Sequence, residues 1–336
     1  MSQPSMIDSK LFDPAAIDSE TKEFNARIEK ELEAMPPLYQ FEPQVIRDAR
    51  AAGHSVFGPI KHLDEAQDRT VPGPAGDITI RVFIPDKVAG VYMHIHGGGF
   101  MLGSADQQDE FLFEICKTCQ IAVVSVDYRL APENPYPAGP DDCEAVAVWL
   151  AENSSAEFGT NRLVIGGESS GANLSVVTLL RMSDRHGFRE FCGAVLTYGG
   201  YDMSMTPSVR RWGERYLILN TKIIDWFHEN YVQAEKLFDP DVSPLYANLS
   251  GLPPALFTIG TLDPLMDDTL FMHMRWLAGG NKAELAVYPG GIHAFNFFPI
   301  ELANKANTRI NDFIIGAVRK IQRTEDRAQK TDDRSQ

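Results

Sequence analysis

The sequence predicts an α/β protein: a mostly parallel central sheet flanked by helices. Apolar runs of strand length recur along the chain from residue 91 onward, and helical patterns follow most of them. Alternation of this kind implies a parallel sheet covered by helices on both faces. One long interval, residues 202–248, breaks the alternation and marks an insertion. A chain of 336 residues suits one large α/β domain with an appended piece, or two domains.

The elements follow in order. Residues 19–35 are rich in charge, and Phe24, Ile28 and Leu32 fall at i, i+4 and i+8, the stripe of a surface helix that Pro36-Pro37 ends. From about Leu63 the pattern turns to strands, with residues 78–84 the clearest. Apolar runs at 91–95, 121–126, 163–165, 194–196, 256–259 and 285–287 read as buried strands. Helical patterns cover 141–151, 171–181 and 266–277, and a further helix is expected after Asp106. The insertion shows no strand but carries Trp212, Tyr216, Trp226, Phe227 and Tyr231, so it is expected to be helical, with most of these rings packing a small core of its own. Residues 323–336 are polar and highly charged and read as a frayed tail.

Composition excludes some classes of function. With 31 Lys and Arg against 46 Asp and Glu, the net charge of −15 repels phosphate backbones and anionic lipid heads, and no local basic patch offsets it. The first ten residues lack the pattern of a secretory leader, and no stretch approaches the roughly 20 apolar residues of a spanning helix. Four cysteines in so large a chain do not form a disulfide framework. Cys116 and Cys119 match a CxxC spacing, yet on a helix they share a face, and inward packing is the expected outcome. The expected compartment is the cytoplasm.

Four motifs carry the chemistry. An apolar run leads into Gly167-Glu168-Ser169-Ser170-Gly171, and a helix pattern follows. That strand-turn-helix context is what a nucleophile elbow needs, with Ser169 exposed above the strand and a helix amino terminus beneath it. His96-Gly97-Gly98-Gly99 follows another buried strand. Consecutive glycines are entropically costly, and their use is close backbone approach: the N–H groups of Gly98 and Gly99, with that of Ser170, can point at a developing oxyanion. His293 follows the final strand and would act as general base, while Asp263, just after the strand at 256–259, would hold its tautomer. Asp267 and Asp268 are rivals for that role but are expected at a helix start, where carboxylates stabilise exposed N–H groups. His94 and His96 lie two apart on one strand; without a third ligand nearby, plain packing is expected for His94 and loop-ordering hydrogen bonds for His96.

These motifs, together with Tyr128-Arg129-Leu130-Ala131-Pro132-Glu133, Pro135-Tyr136-Pro137-Ala138 and Asp263-Pro264-Leu265, resemble those of bacterial hormone-sensitive-lipase-like carboxylesterases, a branch of the α/β-hydrolase fold. The resemblance implies Ser169, Asp263 and His293 as catalytic triad and Gly98, Gly99 and Ser170 as oxyanion hole. It also implies a helical cap. Residues 1–50 would form its amino-terminal part and 202–248 its insertion, over an α/β-hydrolase core of 51–201 and 249–322, with 323–336 as tail. Three positions depart from the pattern: the elbow more usually reads Gly-Asp-Ser-Ala-Gly where Glu168 and Ser170 stand here, and Gly199 replaces a common proline. The expected activity is metal-free and cofactor-free hydrolysis of short-acyl or small aryl esters through an acyl-enzyme. The expected partner is a small-molecule ester; a homodimer is left open. An amidase with the same triad and a non-catalytic ligand-binding relative are the alternatives. Receptors resembling this family typically lack the catalytic histidine, so His293 favours the enzyme.

Overall fold

The computed structural model describes residues 7–332, with side chains to residue 319. The reading of the first ten residues therefore lies largely outside the described residues, as do the last four positions of the tail. Helix α1 (Ser19–Glu33) begins where Asp18 accepts the Thr21 N–H at 2.8 Å, and its apolar stripe, Phe24, Ile28 and Leu32, is buried. A second helix, α2 (Pro43–Ala51), follows with proline at its first position, where no N–H is needed. Strands β1 (Gln67–Gly73) and β2 (Gly76–Phe83) form an antiparallel hairpin.

The alternating part then runs β3 (Val91–Ile95), α3 (Asp109–Cys119), β4 (Ala122–Val126), α4 (Ala138–Phe158), β5 (Leu163–Glu168), α5 (Ser170–His186) and β6 (Phe191–Thr197). Within residues 202–248 come α6 (Pro207–Trp212) and α7 (Thr221–Tyr231), with no extended strand. The chain closes with β7 (Ala255–Leu262), α8 (Met266–Ala278), β8 (Ala283–Ile292) and α9 (Glu301–Asp332). Helix α9 takes in most of the stretch expected as an unstructured tail. Its earlier turns bury Ile310, Ile314 and Val318, and extending a helix already anchored costs far less than starting one.

The eight strands lie in the order β1-β2-β4-β3-β5-β6-β7-β8. Pairs β1/β2 and β2/β4 are antiparallel and the rest parallel. Every residue of β3, β4, β5 and β6 is buried, which explains why those runs read as continuously apolar rather than alternating. From β3 the chain builds outward to β4, then returns to place β5 on the other side of β3. The strand order reverses there, and the crevice outside the carboxyl ends of β3 and β5 is where such sheets hold ligands.

Candidate active site

Ser169 sits in the one-residue turn between β5 and α5 with φ +56° and ψ −120°. That is a conformation L-residues avoid, costing on the order of 1–3 kcal/mol, and it lifts the hydroxyl out of the chain's path. The flanking glycines serve close packing. A Cβ on Gly167 or Gly171 would strike the backbone of Ile95 at the end of β3.

Three distant side chains meet at this turn. His293, in the loop after β8, brings Nε2 to 2.9 Å from Ser169 Oγ and Nδ1 to 2.9 Å from Asp263 Oδ2. Asp263 follows β7 and is buried, and its other oxygen accepts the Leu265 N–H at 2.9 Å. A carboxylate between those two donors requires a proton on His293 Nδ1. Nε2 is then the bare nitrogen, able to accept from the Ser169 hydroxyl.

Asp267 and Asp268 lie in the first turn of α8, as expected, but their oxygens serve the insertion rather than the helix's own N–H groups. Asp267 accepts from Ser208 N at 2.8 Å; Asp268 accepts from Tyr201 N at 2.7 Å, Asp202 N at 3.0 Å and Thr206 Oγ1 at 2.6 Å. Burial pushes the Asp268 carboxyl up to about 7 in spite of these donors.

The glycine loop after β3 has two residues in left-handed or mirror-extended backbone, Gly98 at φ +129° and Gly99 at φ +62°. A Cβ on Gly98 would collide with the Leu102 carbonyl, and one on Gly99 with the Phe227 ring. Among the described residues, no backbone or side-chain acceptor takes the N–H of Gly98, Gly99 or Ser170. Ser170 opens α5, so its N–H belongs to the helix's positive end. His96 orders this loop: its Nδ1 donates to Gly97 O at 2.9 Å, and its ring stacks on Tyr128 at 4.3 Å. Burial lowers its pKa to about 4, so it stays neutral.

The reading of His94 as plain packing is corrected. Its ring nitrogens bond Ser125 Oγ at 2.9 Å and Glu168 Oε2 at 3.0 Å. The expectation for the insertion's aromatics is corrected in part. Phe227 stands over Gly99 and Tyr231 stacks on Phe100 at 3.8 Å, so both pack on the glycine loop rather than in a separate core. Tyr198, which no motif marked, places its ring 4.7 Å from that of His293 and donates its hydroxyl to Asn296 Oδ1. Tertiary packing alone brings these residues in. The only sequence hint was the unusual Glu168.

A cavity of about 480 Å³ opens onto Ser169 and His293. Leu38 and Phe57 line it from the amino-terminal segment and Ile218, Leu219 and Phe227 from the insertion. Its size and mixed apolar and polar walls suit a small organic molecule. The CxxC pair is inert by comparison. Burial pushes the Cys116 and Cys119 thiols up to about 11 and about 12, and Cys119 donates to Asn311 Oδ1 at 3.5 Å.

Comparison with known proteins agrees with this geometry. A family model described as alpha/beta hydrolase fold matches residues 92–297. The chain is 35% identical over 271 residues to the carboxylic ester hydrolase LipN of Mycobacterium tuberculosis, covering 77% of this chain and 72% of that one. It is 30% identical over 237 residues to an acetyl esterase of Salmonella schwarzengrund, covering 67% and 71%. A hyperthermophilic esterase from the archaeon Pyrobaculum calidifontis superposes with a TM-score of 0.80 at 30% identity, over 87% of this chain and 97% of that one. The strand order, the strained serine turn and these matches lead to one assignment: the chain belongs to the α/β-hydrolase fold family.

Proposed function

We propose that the protein is a serine carboxylesterase acting on short-acyl or small aryl esters through an acyl-enzyme. The observation that carries this reading is the unbroken file Asp263 Oδ2, His293 Nδ1, His293 Nε2 and Ser169 Oγ, each contact 2.9 Å, at the mouth of a small-molecule cavity. Ser169 Oγ attacks the ester carbonyl as its proton passes to His293 Nε2. The carbonyl oxygen gains negative charge opposite the free N–H groups of Gly98, Gly99 and Ser170. Donors held ready in this way stabilise the transition state by about 2.7–4 kcal/mol each, because they do not reorganise during reaction. The tetrahedral species collapses, the C–O bond to the alcohol breaks, and Nε2 gives its proton to the departing oxygen. Water then takes the alcohol's place, loses a proton to Nε2 and releases the carboxylic acid, restoring the Ser169 hydroxyl. Asp263 keeps the imidazole in its reactive tautomer throughout.

The amino-terminal residues 1–50 and the insertion 202–248 act together as a cap. Several contacts support this role. Asn25 holds Gly290 O near the end of β8 at 2.8 Å, Arg47 holds Met101 O beyond the glycine loop at 2.8 Å, and Arg215 pairs with Glu29 at 2.8 Å. We further infer a cytoplasmic location, supported by Cys116, Cys119 and Cys143, buried side chains that remain thiols. Among the described residues, no helix is long and apolar enough to cross a membrane. Turnover of p-nitrophenyl acetate and butyrate tests the central reading. The Ser169→Ala variant should lose essentially all of it while remaining folded; retained turnover would overturn the assignment.

A further inference from the structure

A buried polar string beside the nucleophile takes no part in the ester chemistry. His94 on β3 lies two residues before His96 and is fully buried; Glu168, the last residue of β5, directly precedes Ser169 and is 3% exposed. With Ser125 on β4 they form a Ser–His–Glu string across three strands, through Oγ to Nδ1 at 2.9 Å and Nε2 to Oε2 at 3.0 Å. The order of hydroxyl, imidazole and carboxylate is that of the Ser169 site, but Ser125 is wholly buried and no substrate reaches it. The proton positions follow from the acceptors. The Glu168 carboxylate takes the Nε2–H, and the Ser125 hydroxyl donates to the bare Nδ1. Tyr92, Tyr128 and Tyr198 face this carboxylate, and their phenols are pushed up by burial first and by its negative charge second or later.

The position of this string in the sheet gives it a task. On one side, β5 stays paired with β6 through Glu168 and Thr197, and the Ser169 N–H still donates to Thr197 O at 3.0 Å. On the other side, pairing of β5 with β3 ends at Ile95 and Gly167. Beyond that point the glycine loop and the nucleophile turn touch by backbone packing, Gly97 against Glu168 O, with no further ladder between them. The polar bond that ties β3 to the residue before Ser169 is between side chains, His94 to Glu168. The usual elbow residue, aspartate, is one methylene shorter than the glutamate that here reaches across to β3.

Resting on the esterase reading, we infer that the His94–Glu168 pair is a positioning clamp that fixes the nucleophile turn against the glycine loop, so that Ser169 Oγ and the N–H groups of Gly98, Gly99 and Ser170 address one carbonyl. His94 is fully buried and the Glu168 side chain is turned onto it, so the pair acts on the turn rather than on the substrate. Loss of the clamp should therefore appear in kcat and leave KM nearly unchanged, since misplacing reacting groups by about 1 Å can cost about 100-fold.

Steady-state kinetics on p-nitrophenyl butyrate test this, with folding followed by circular dichroism. Glu168→Ala and His94→Leu should each lower kcat roughly 10- to 100-fold with KM held within about threefold. The double variant should be no slower than the slower single one, as expected of two groups acting through one contact. Glu168→Gln, which keeps an acceptor for the Nε2–H, should recover most of the lost kcat. Should the alanine variant fail to fold, Glu168→Asp and Ser125→Ala serve instead, each with a smaller loss confined to kcat. Unchanged kcat in folded Glu168→Ala or Glu168→Asp, an effect on KM alone, or additive losses in the double variant would overturn the clamp. A Ser169→Ala variant run alongside separates the two ideas: if it stays inactive while the clamp variants behave as wild type, only the clamp is lost.

Discussion

The floor of the cavity and the wall above it are built by different means. The floor is backbone against backbone: Gly167 and Gly171 on Ile95, Gly98 on Leu102, and a serine held at φ +56°. The wall is side chain against loop: Phe227 over Gly99, Tyr231 on Phe100, and Leu38 and Phe57 from a distant part of the chain. Backbone contacts have no rotamers with which to absorb a change, whereas a ring can turn aside. The floor should thus be intolerant of a single added carbon, and the wall should tune which substrate fits without abolishing the reaction.

The largest expected effect bears on the floor. Asp263→Asn should cut kcat about 10⁴-fold with little change in the melting temperature, because an amide at that position favours the wrong tautomer of His293. A loss below tenfold would mean that the imidazole is oriented by something other than Asp263. Next comes Gly98→Ala. Its Cβ meets the Leu102 carbonyl, so the loop must move, and the loss of one oxyanion donor should lower kcat about 10²- to 10³-fold. Full activity in that variant would break the distinction between floor and wall.

Smaller effects belong to the wall. Phe227→Ala should change KM and acyl-chain preference by roughly tenfold while kcat on the best substrate moves less, the mark of lost uniform binding. Gly99→Ala sharpens the comparison, since its Cβ would meet the Phe227 ring rather than backbone. Adding Phe227→Ala to it should recover part of the activity, whereas no side-chain removal should rescue Gly98→Ala.

The smallest effect concerns Asp268, the buried carboxyl that anchors the start of the insertion. Burial raises the Asp268 carboxyl to about 7, well above its ordinary value near 3.8. Between those values the folded state holds a proton that the unfolded chain has released. This contribution to stability is therefore present at low pH and is lost as pH rises toward about 7. The melting temperature of Asp268→Asn should fall less than that of wild type between pH 5 and 8. A parallel pair of curves would show that the carboxyl is ionised throughout.

Much of the floor was legible because its parts are local in sequence. A strand, a glycine-flanked serine and a helix predict an elbow from within a short window, and three successive glycines predict a backbone that must approach something closely. Asp263 could be preferred to Asp267 and Asp268 because it stands nearest the strand end, where chain geometry returns it to the sheet's carboxyl edge. The wall was legible only as a cap over the core, not in which of its rings meet the glycine loop. Phe227 and Tyr231 carry the same helical pattern whether they pack among themselves or on the loop at residues 98–100, and periodicity states only that a face is buried, not against what. His94 shows the same limit. A histidine inside an apolar strand reads as packing until β4 and β5 are laid on either side of it.

By itself, then, the sequence determined the α/β alternation, the sharp turn at Ser169, the close-packed glycine loop at Gly98 and Gly99, and which aspartate and histidine return to that turn. These depend on covalent geometry and on spacing within a few residues. Only the tertiary structure decided that α9 continues to Asp332, that the insertion's rings close over the glycine loop, and that His94 reaches Glu168 beneath the nucleophile turn. Those outcomes depend on which surfaces meet across the sheet, and long-range contact is set by the packing of the whole chain rather than by any short stretch of it.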